Sequence, residues 1–364
     1  MRVAVAIVVI VGVGACYAPS FPTGAPCDEL HPCPSALVCT KAGTCETSES
    51  VEPDPDANIV DMPDAPIDAC VSMGAEVCDD GIDQDCDGLD STCAANDVAT
   101  NPVDVTNGGT FNGDLANATD TFAQRGCGDV GGRELFYKIT LTAAEVYYID
   151  TFGSDFDTSV RVYAGTPCNQ LDATVTPTTC DDDACGTEQS QFAFPLPSGT
   201  SCIVVDQNAG STDDDLTLHV TRSRRTGTPL GDGMQTLTGD TCTSTNSGNP
   251  NIPCNDADND AKDVSWYFTS CPGVNRRLDA STCVDVTMVH FDTVLYVHKS
   301  GVQADLVCRD DSEPPCTPRP DRPDHVDGTV LTNVNTTGPG LFWLVLDGFG
   351  MDACGGYRLD TNLD

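Results

Sequence analysis

The sequence predicts a mostly β protein: two antiparallel β-sandwich domains in tandem, preceded by small disulfide-rich modules and an acidic Asp/Pro-rich linker. Three observations carry this expectation. Short segments such as Ser159-Val160-Arg161-Val162-Tyr163 and Val294-Leu295-Tyr296-Val297-His298 have the period of two expected of strands. A set of landmarks occurs twice in the same order, and helical periodicity is almost absent. Twenty-one cysteines in 364 residues point to an oxidising compartment, where bridges stabilise modules too small to bury a core.

The order of the chain begins with a secretory segment, residues 1–15. Arg2 is followed by a run of apolar residues and glycine too short to cross a bilayer comfortably. The run ends in Val13-Gly14-Ala15-Cys16, which resembles a bacterial lipobox. That resemblance implies cleavage before Cys16 and lipid on its thiol, with residues 16–26 as tether. Parity agrees: removing Cys16 leaves twenty cysteines, which can pair completely. Tyr17 stands where an inner-membrane retention signal would show Asp, so the expected location is the outer membrane or cell surface.

Residues 27–45 hold Cys27, Cys33, Cys39 and Cys45 with few core formers, so two bridges must constrain them, and three pairings remain open. The stretch resembles the small cysteine-rich modules that follow the lipobox in secreted proteins of predatory bacteria, and a stiff spacer is the expected role. Residues 46–69 are rich in Asp, Pro, Ala and Ser; they bury little and read as an extended, disordered linker.

Residues 70–93 contain EVCDDGIDQDCDGLD, Glu76 to Asp90. Asp83, Asp85 and Asp87 alternate, and Gly88 follows. Alternate side chains in a tight loop converge, glycine permits the turn, and oxygen ligands suit Ca2+. The Leu89 carbonyl is placed to add a ligand, and Asp90, Asp79, Asp80 and Glu76 are available to complete the shell. Position twelve of the loop is Ala94, so the bidentate glutamate of a helix-loop-helix site is missing. Cys78 and Cys86 would hold the turn instead. The segment closely resembles the ExCNGxDDDCDGxxD metal-binding motif of MopE-like surface proteins and myxobacterial lipoproteins. It matches at Glu76, Cys78, Asp80, Gly81, Asp83, Asp85, Cys86, Asp87, Gly88 and Asp90, with one residue fewer before Asp90.

Two larger pieces follow, expected as β-sandwiches over 100–221 and 237–364, with 222–236 as the linker between them. Phe156-Asp157-Thr158 matches Phe291-Asp292-Thr293, and Cys180-Asp181-Asp182 is echoed by Cys308-Arg309-Asp310-Asp311. Asp206 and Asp347 follow apolar strands at similar places. The order of landmarks resembles the bacterial pre-peptidase C-terminal-like (PPC-like) family. Trp266-Tyr267-Phe268, Phe291 to Val297, Cys308 to Asp311 and Tyr357-Arg358-Leu359 carry the resemblance, and the first copy matches more loosely. It implies domains that accompany secreted enzymes or surface proteins without being catalytic themselves. The copies hold five and seven cysteines, so complete pairing requires at least one bridge between them or to an upstream module. Asp181, Asp182, Asp213, Asp214, Asp310 and Asp311 are weaker metal candidates in acidic turns. Asp157 and Asp292 are expected to bond nearby backbone amides.

Composition limits the function. With 56 acidic and 17 basic residues the formal charge is −39, which leaves no basic footprint for nucleic acid or anionic lipid. No Gly-x-Ser-x-Gly elbow, HExxH or Cys-x2-Cys occurs. Only two tryptophans, Trp266 and Trp343, are present to line a sugar cleft. The expectation is a non-catalytic surface lipoprotein with a structural Ca2+ loop, anchored by lipid and binding or scaffolding through its sandwiches. The partner would be a surface glycan or protein; an adhesin or a secreted hydrolase are the alternatives. Calorimetry at millimolar free Ca2+ is expected to show bound ion, and a protein that binds none contradicts the loop reading.

Overall fold

The structure is a computed structural model. It describes residues 38–39, 44–46 and 95–364, except 121, 123–126, 128–130, 173, 209–213, 249, 251–260, 284–288, 290, 312–315, 317–327 and 351. The signal segment, Cys16, the linker over 46–69 and the loop over 70–93 therefore lie outside the described residues, apart from Glu46. Contacts divide the chain into two compact units, Met1–Ala69 and Cys70–Asp364. In the first, β1 (Val38–Cys39) and β2 (Cys45–Glu46) pair antiparallel, and Cys45 is disulfide-bonded.

The second unit is mostly β, with the same architecture built twice. Its first half contains β3 (Val103–Asp104), β4 (Gly109–Asp114), β5 (Glu134–Leu141), β6 (Glu145–Asp150), β7 (Thr158–Tyr163), β8 (Thr179–Asp181), β9 (Gln191–Leu196), β10 (Gly199–Gln207) and β11 (Asp215–Ser223). These form sheets of order β3-β5-β10-β7-β8 and β4-β11-β6-β9. The second half contains β12 (Thr228–Pro229), β13 (Gly233–Asp240), β14 (Val264–Ser270), β15 (Asn275–Ser281), β16 (Thr293–Lys299), β17 (Val307–Arg309), β18 (Val330–Thr337), β19 (Gly340–Gly348) and β20 (Gly356–Leu363). Their order is β12-β14-β19-β16-β17 and β13-β20-β15-β18, the same arrangement strand for strand. Even the short parallel pairing at one edge recurs, β3 on β5 and β12 on β14.

Each half is sandwich-like, because alternation on facing sheets feeds one core. Leu216, Leu218 and Val220 of β11 meet Leu135, Tyr137, Ile139, Ile203 and Val205 from β5 and β10. In the second half Tyr357, Leu359 and Leu363 of β20 meet Trp266, Phe268, Leu344 and Leu346. Both inner layers follow from the period-two pattern.

The outer faces do not follow it. All nine residues of β19 are buried, because a third core covers the sheet's other side. Val146 and Tyr148 of β6 pack there with Tyr267, Val294, Tyr296, Leu341, Trp343 and Val345. The two halves thus share an apolar seam, with Trp343 fully buried in it. Gly227 lies in the connection crossing this seam; a Cβ there would stand 2.4 Å from the Ser265 carbonyl oxygen and 2.8 Å from the Trp343 ring.

Disulfides complete the frame. Cys127–Cys180 and Cys168–Cys202 lie within the first half, and Cys242–Cys354 and Cys283–Cys316 within the second. Cys185–Cys271 joins the halves across a sequence separation of 86 residues. Of the two alternatives the odd cysteine counts left open, this is the bridge between the copies. The expected linker over 222–236 is corrected: Arg222 and Ser223 end β11, and Gly233 already begins β13. Arg222 sits in a strand because its guanidinium grips Glu145 of β6 at both oxygens, 2.5 and 2.7 Å.

Cleavage after Arg224 or Arg225 is expected to give two fragments that stay joined on a non-reducing denaturing gel. The Cys185→Ser/Cys271→Ser double variant should release them without reductant. Release of the wild-type fragments before reduction contradicts the bridge.

Candidate metal centre

The two halves place an acidic turn at equivalent sheet ends. In the second half, β16 and β17 pair antiparallel with Leu295 opposite Arg309. Continuing that register puts Thr293 opposite Asp311, so Asp292 comes next to the acidic pair Asp310-Asp311. One carboxylate oxygen from each lies within 4.8 Å of the others. Asp310 is buried, Asp292 half-buried and Asp311 exposed. Among the described residues this is the one cluster of metal-ligating side chains.

A buried ladder of hydroxyls fixes the backbone here. Thr293 Oγ1 lies 2.9 Å from Thr282 Oγ1 and 3.1 Å from Thr329 Oγ1. The Thr329 hydroxyl is placed to donate to the Thr293 carbonyl or the Asp310 carbonyl, between the two acidic segments. The Phe349 amide donates to the Asp292 carbonyl at 2.9 Å. Burial, then the charge of Asp311, pushes the Asp310 carboxyl up to about 6.

The first half repeats the scaffold with different occupants. Thr151, Thr158 and Ser190 form the ladder, and Ser190 Oγ is placed to donate to the Thr158 and Asp181 carbonyls, 2.9 Å each. The Asn208 amide donates to the Asp157 carbonyl at 2.9 Å, as Phe349 does to Asp292. The carboxylates are engaged by the protein, however. Asp181 Oδ2 accepts the Gln191 amide at 2.7 Å, and Asp182 Oδ1 accepts from Asn208 Nδ2 at 3.0 Å. Burial raises both carboxyls. Asp214 is half-buried, and its carbonyl accepts the Leu115 amide. Asp213, Glu76, Asp79, Asp80, Asp83, Asp85, Asp87, Leu89 and Asp90 lie outside the described residues, so the Ca2+ loop is not placed.

Sequence reasoning marked Asp206 and Asp347 as landmarks but not as buried charges. Each sits in a central strand with a guanidinium near it. Arg161, fully buried, donates Nη1 to Asp206 Oδ2 at 2.5 Å and Nη2 to the Cys127 carbonyl at 2.8 Å. Burial still pushes the Asp206 carboxyl up, with Arg161 opposing. Tyr296 replaces Arg161 in the second half, and the cation arrives from the seam. Arg225 donates to Tyr296 OH at 3.1 Å and lies 3.9 Å from Asp263. Its charge opposes the burial that carries the Asp347 carboxyl up to about 7. Two histidines are also held by aspartates: His219 Nδ1 to Asp150 at 2.8 Å and His298 Nδ1 to Asp305 at 2.9 Å.

No family model matches the chain, and no curated protein matches it. Among solved structures, one of the Sulfolobus turreted icosahedral virus aligns at 6% identity over 64% of this chain and 57% of its own, with a TM-score of 0.20. The CUB1-EGF-CUB2 segment of human MASP-1/3 aligns at 8% identity over 71% of this chain and all of its own, with a TM-score of 0.18. The Arabidopsis thaliana ANX1 ectodomain aligns at 8% identity over 71% of this chain and 89% of its own, with a TM-score of 0.21. Nothing about function follows from similarity at this level.

The buried Asp347 carries a pH signature. Its folded value near 7 exceeds the ordinary carboxylate value, so between about pH 4 and 7 the folded chain keeps a proton that the unfolded chain has released. Its contribution to stability therefore falls as pH rises through that window and is least favourable above 7. Asp347→Asn is expected to flatten the fall in melting temperature between pH 5 and 7.5 by about one proton's worth. An unchanged slope contradicts the assignment.

Proposed function

We propose that this chain is a non-catalytic, lipid-anchored protein of the bacterial outer membrane or cell surface. Its two β-sandwich domains in tandem act as one rigid body for binding or scaffolding. The observation that best supports this reading is the seam. A bridge at Cys185–Cys271, an aromatic core around Trp343 and Tyr296, and Arg225 anchored beside it all favour one fixed orientation. Domains that close on a substrate need a hinge, and a packed, bridged seam opposes hinging.

Scaffolding is favoured over glycan binding by where the aromatics lie. Trp266 and Trp343 are both buried, and the exposed large apolar side chains among the described residues are Val98, Met234, Val274, Val302 and Leu306. None of these offers a stacking platform for sugar. In this reading the loop over 76–90 binds Ca2+, which offsets repulsion among its crowded carboxylates in a chain of −39 net charge. No helix among the described residues is long and apolar enough to cross a membrane, and the disulfides fit an extracytoplasmic location.

The anchor is tested at Cys16. Cys16→Ala is expected to move the protein from the membrane fraction to the soluble extracytoplasmic fraction. Mass spectrometry of the wild type should find lipid on Cys16. An unmodified N-terminus, or membrane association that survives the substitution, overturns the proposal.

A further inference from the structure

We propose that Asp292, Asp310 and Asp311 form a second divalent-cation site, suited to Ca2+ and separate from the loop over 76–90. Proximity of carboxylates is not by itself an argument, since acidic turns crowd many surfaces. The additional observation is Asp310. It is only 6% exposed, yet its Oδ1 has no hydrogen-bond partner among the described residues. No lysine or arginine among them pairs with Asp310 or Asp311. A buried carboxylate facing another carboxylate needs a donor, a proton or a cation, and at neutral pH and above a cation is the one that lets both stay charged.

The duplication supplies an internal control. In the first half the turn has both a protein donor and a protein cation close by. Asn208 gives its side-chain amide to Asp182, and Arg161 contributes positive charge to the same carboxylate. The matching positions are Phe349, two residues after Asp347 as Asn208 is after Asp206, and Tyr296, which replaces Arg161. Phe349 has no donor, and the Tyr296 hydroxyl donates to the Gly248 carbonyl at 2.8 Å. The second half therefore keeps the Asp310-Asp311 pair and lacks counterparts of both groups that serve Asp182 in the first.

The remaining geometry suits an ion. The Thr329 hydroxyl and the Phe349 amide hold the backbone on both sides, so the side chains converge without further ordering. All donors are oxygen, which favours Ca2+ or Mg2+ over softer metals. Ca2+ is preferred because it accepts irregular coordination completed by water, and exposed Asp311 leaves room for it.

The test is Ca2+ calorimetry on the full mature chain, with wild type, Asp310→Asn, Asp311→Asn and Asp83→Asn/Asp85→Asn/Asp87→Asn in parallel. The expected result is a binding event that survives the loop substitutions and disappears in Asp310→Asn. In Asp311→Asn, whose exposed position leaves the fold undisturbed, that event should weaken by about tenfold or more, since affinity follows ligand charge. The failure of either Ca2+ site is visible separately. If the loop-substituted protein binds no Ca2+, or binds it equally well with Asp310 or Asp311 replaced, the site is disproved.

Discussion

The constraint on which this structure turns is a shortage of positive charge. Fifty-six carboxylates share seventeen lysines and arginines, and the fold buries several of the carboxylates. Each buried acid must find a donor, lose its charge or bind a cation. Arginine is used accordingly. Arg161 serves Asp206 inside the first half, and Arg222 grips Glu145 with both ends of its fork. Arg225 is placed at the seam, where it opposes the burial of Asp263 and Asp347. Histidines take part as well, His219 on Asp150 and His298 on Asp305.

The duplication shows how one scaffold accommodates different solutions. Strand order, the buried hydroxyl ladder and the amide onto the Asp157 or Asp292 carbonyl are the same in both halves. What differs is the source of compensation. In the first half it is internal, from Arg161 and Asn208. In the second, Tyr296 occupies the guanidinium's place and presents its ring to the seam, with the Arg225 guanidinium 5.6 Å from the ring centroid. Replacing a buried ion pair by an aromatic creates the apolar surface against which Val146 and Tyr148 pack. The position that holds Arg161 in the first half thus belongs to the junction in the second.

Much of the frame was legible in the sequence. Paired landmarks from Phe156 and Phe291 onward located the two copies, and period two gave the inner layers. Odd cysteine counts called for a bridge between copies or to an upstream module, without naming Cys185 and Cys271. The seam was hidden for a local reason. Alternation in β16 marks Tyr296 as facing away from its own core but cannot say what covers that face. The run Leu341-Phe342-Trp343-Leu344-Val345-Leu346 did carry the signal, because a strand apolar at every position is covered on both sides. Arg222 read as linker because its partner Glu145 lies 77 residues away. The convergence of Asp292 with Asp310 and Asp311 depends on strand register, which spacing alone does not supply.

In this account solvent cations complete what the chain's own basic residues leave undone. Nonspecific screening would also ease repulsion in such an acidic protein, so the deciding comparison holds ionic strength constant. Thermal melts of the mature protein in CaCl2, MgCl2 and NaCl at equal ionic strength make it. The account predicts a melting temperature in Ca2+ clearly above that in NaCl and rising with Ca2+ concentration, as bound ligand requires. Identical melting temperatures in the three salts would show that charge is merely screened, and would contradict it.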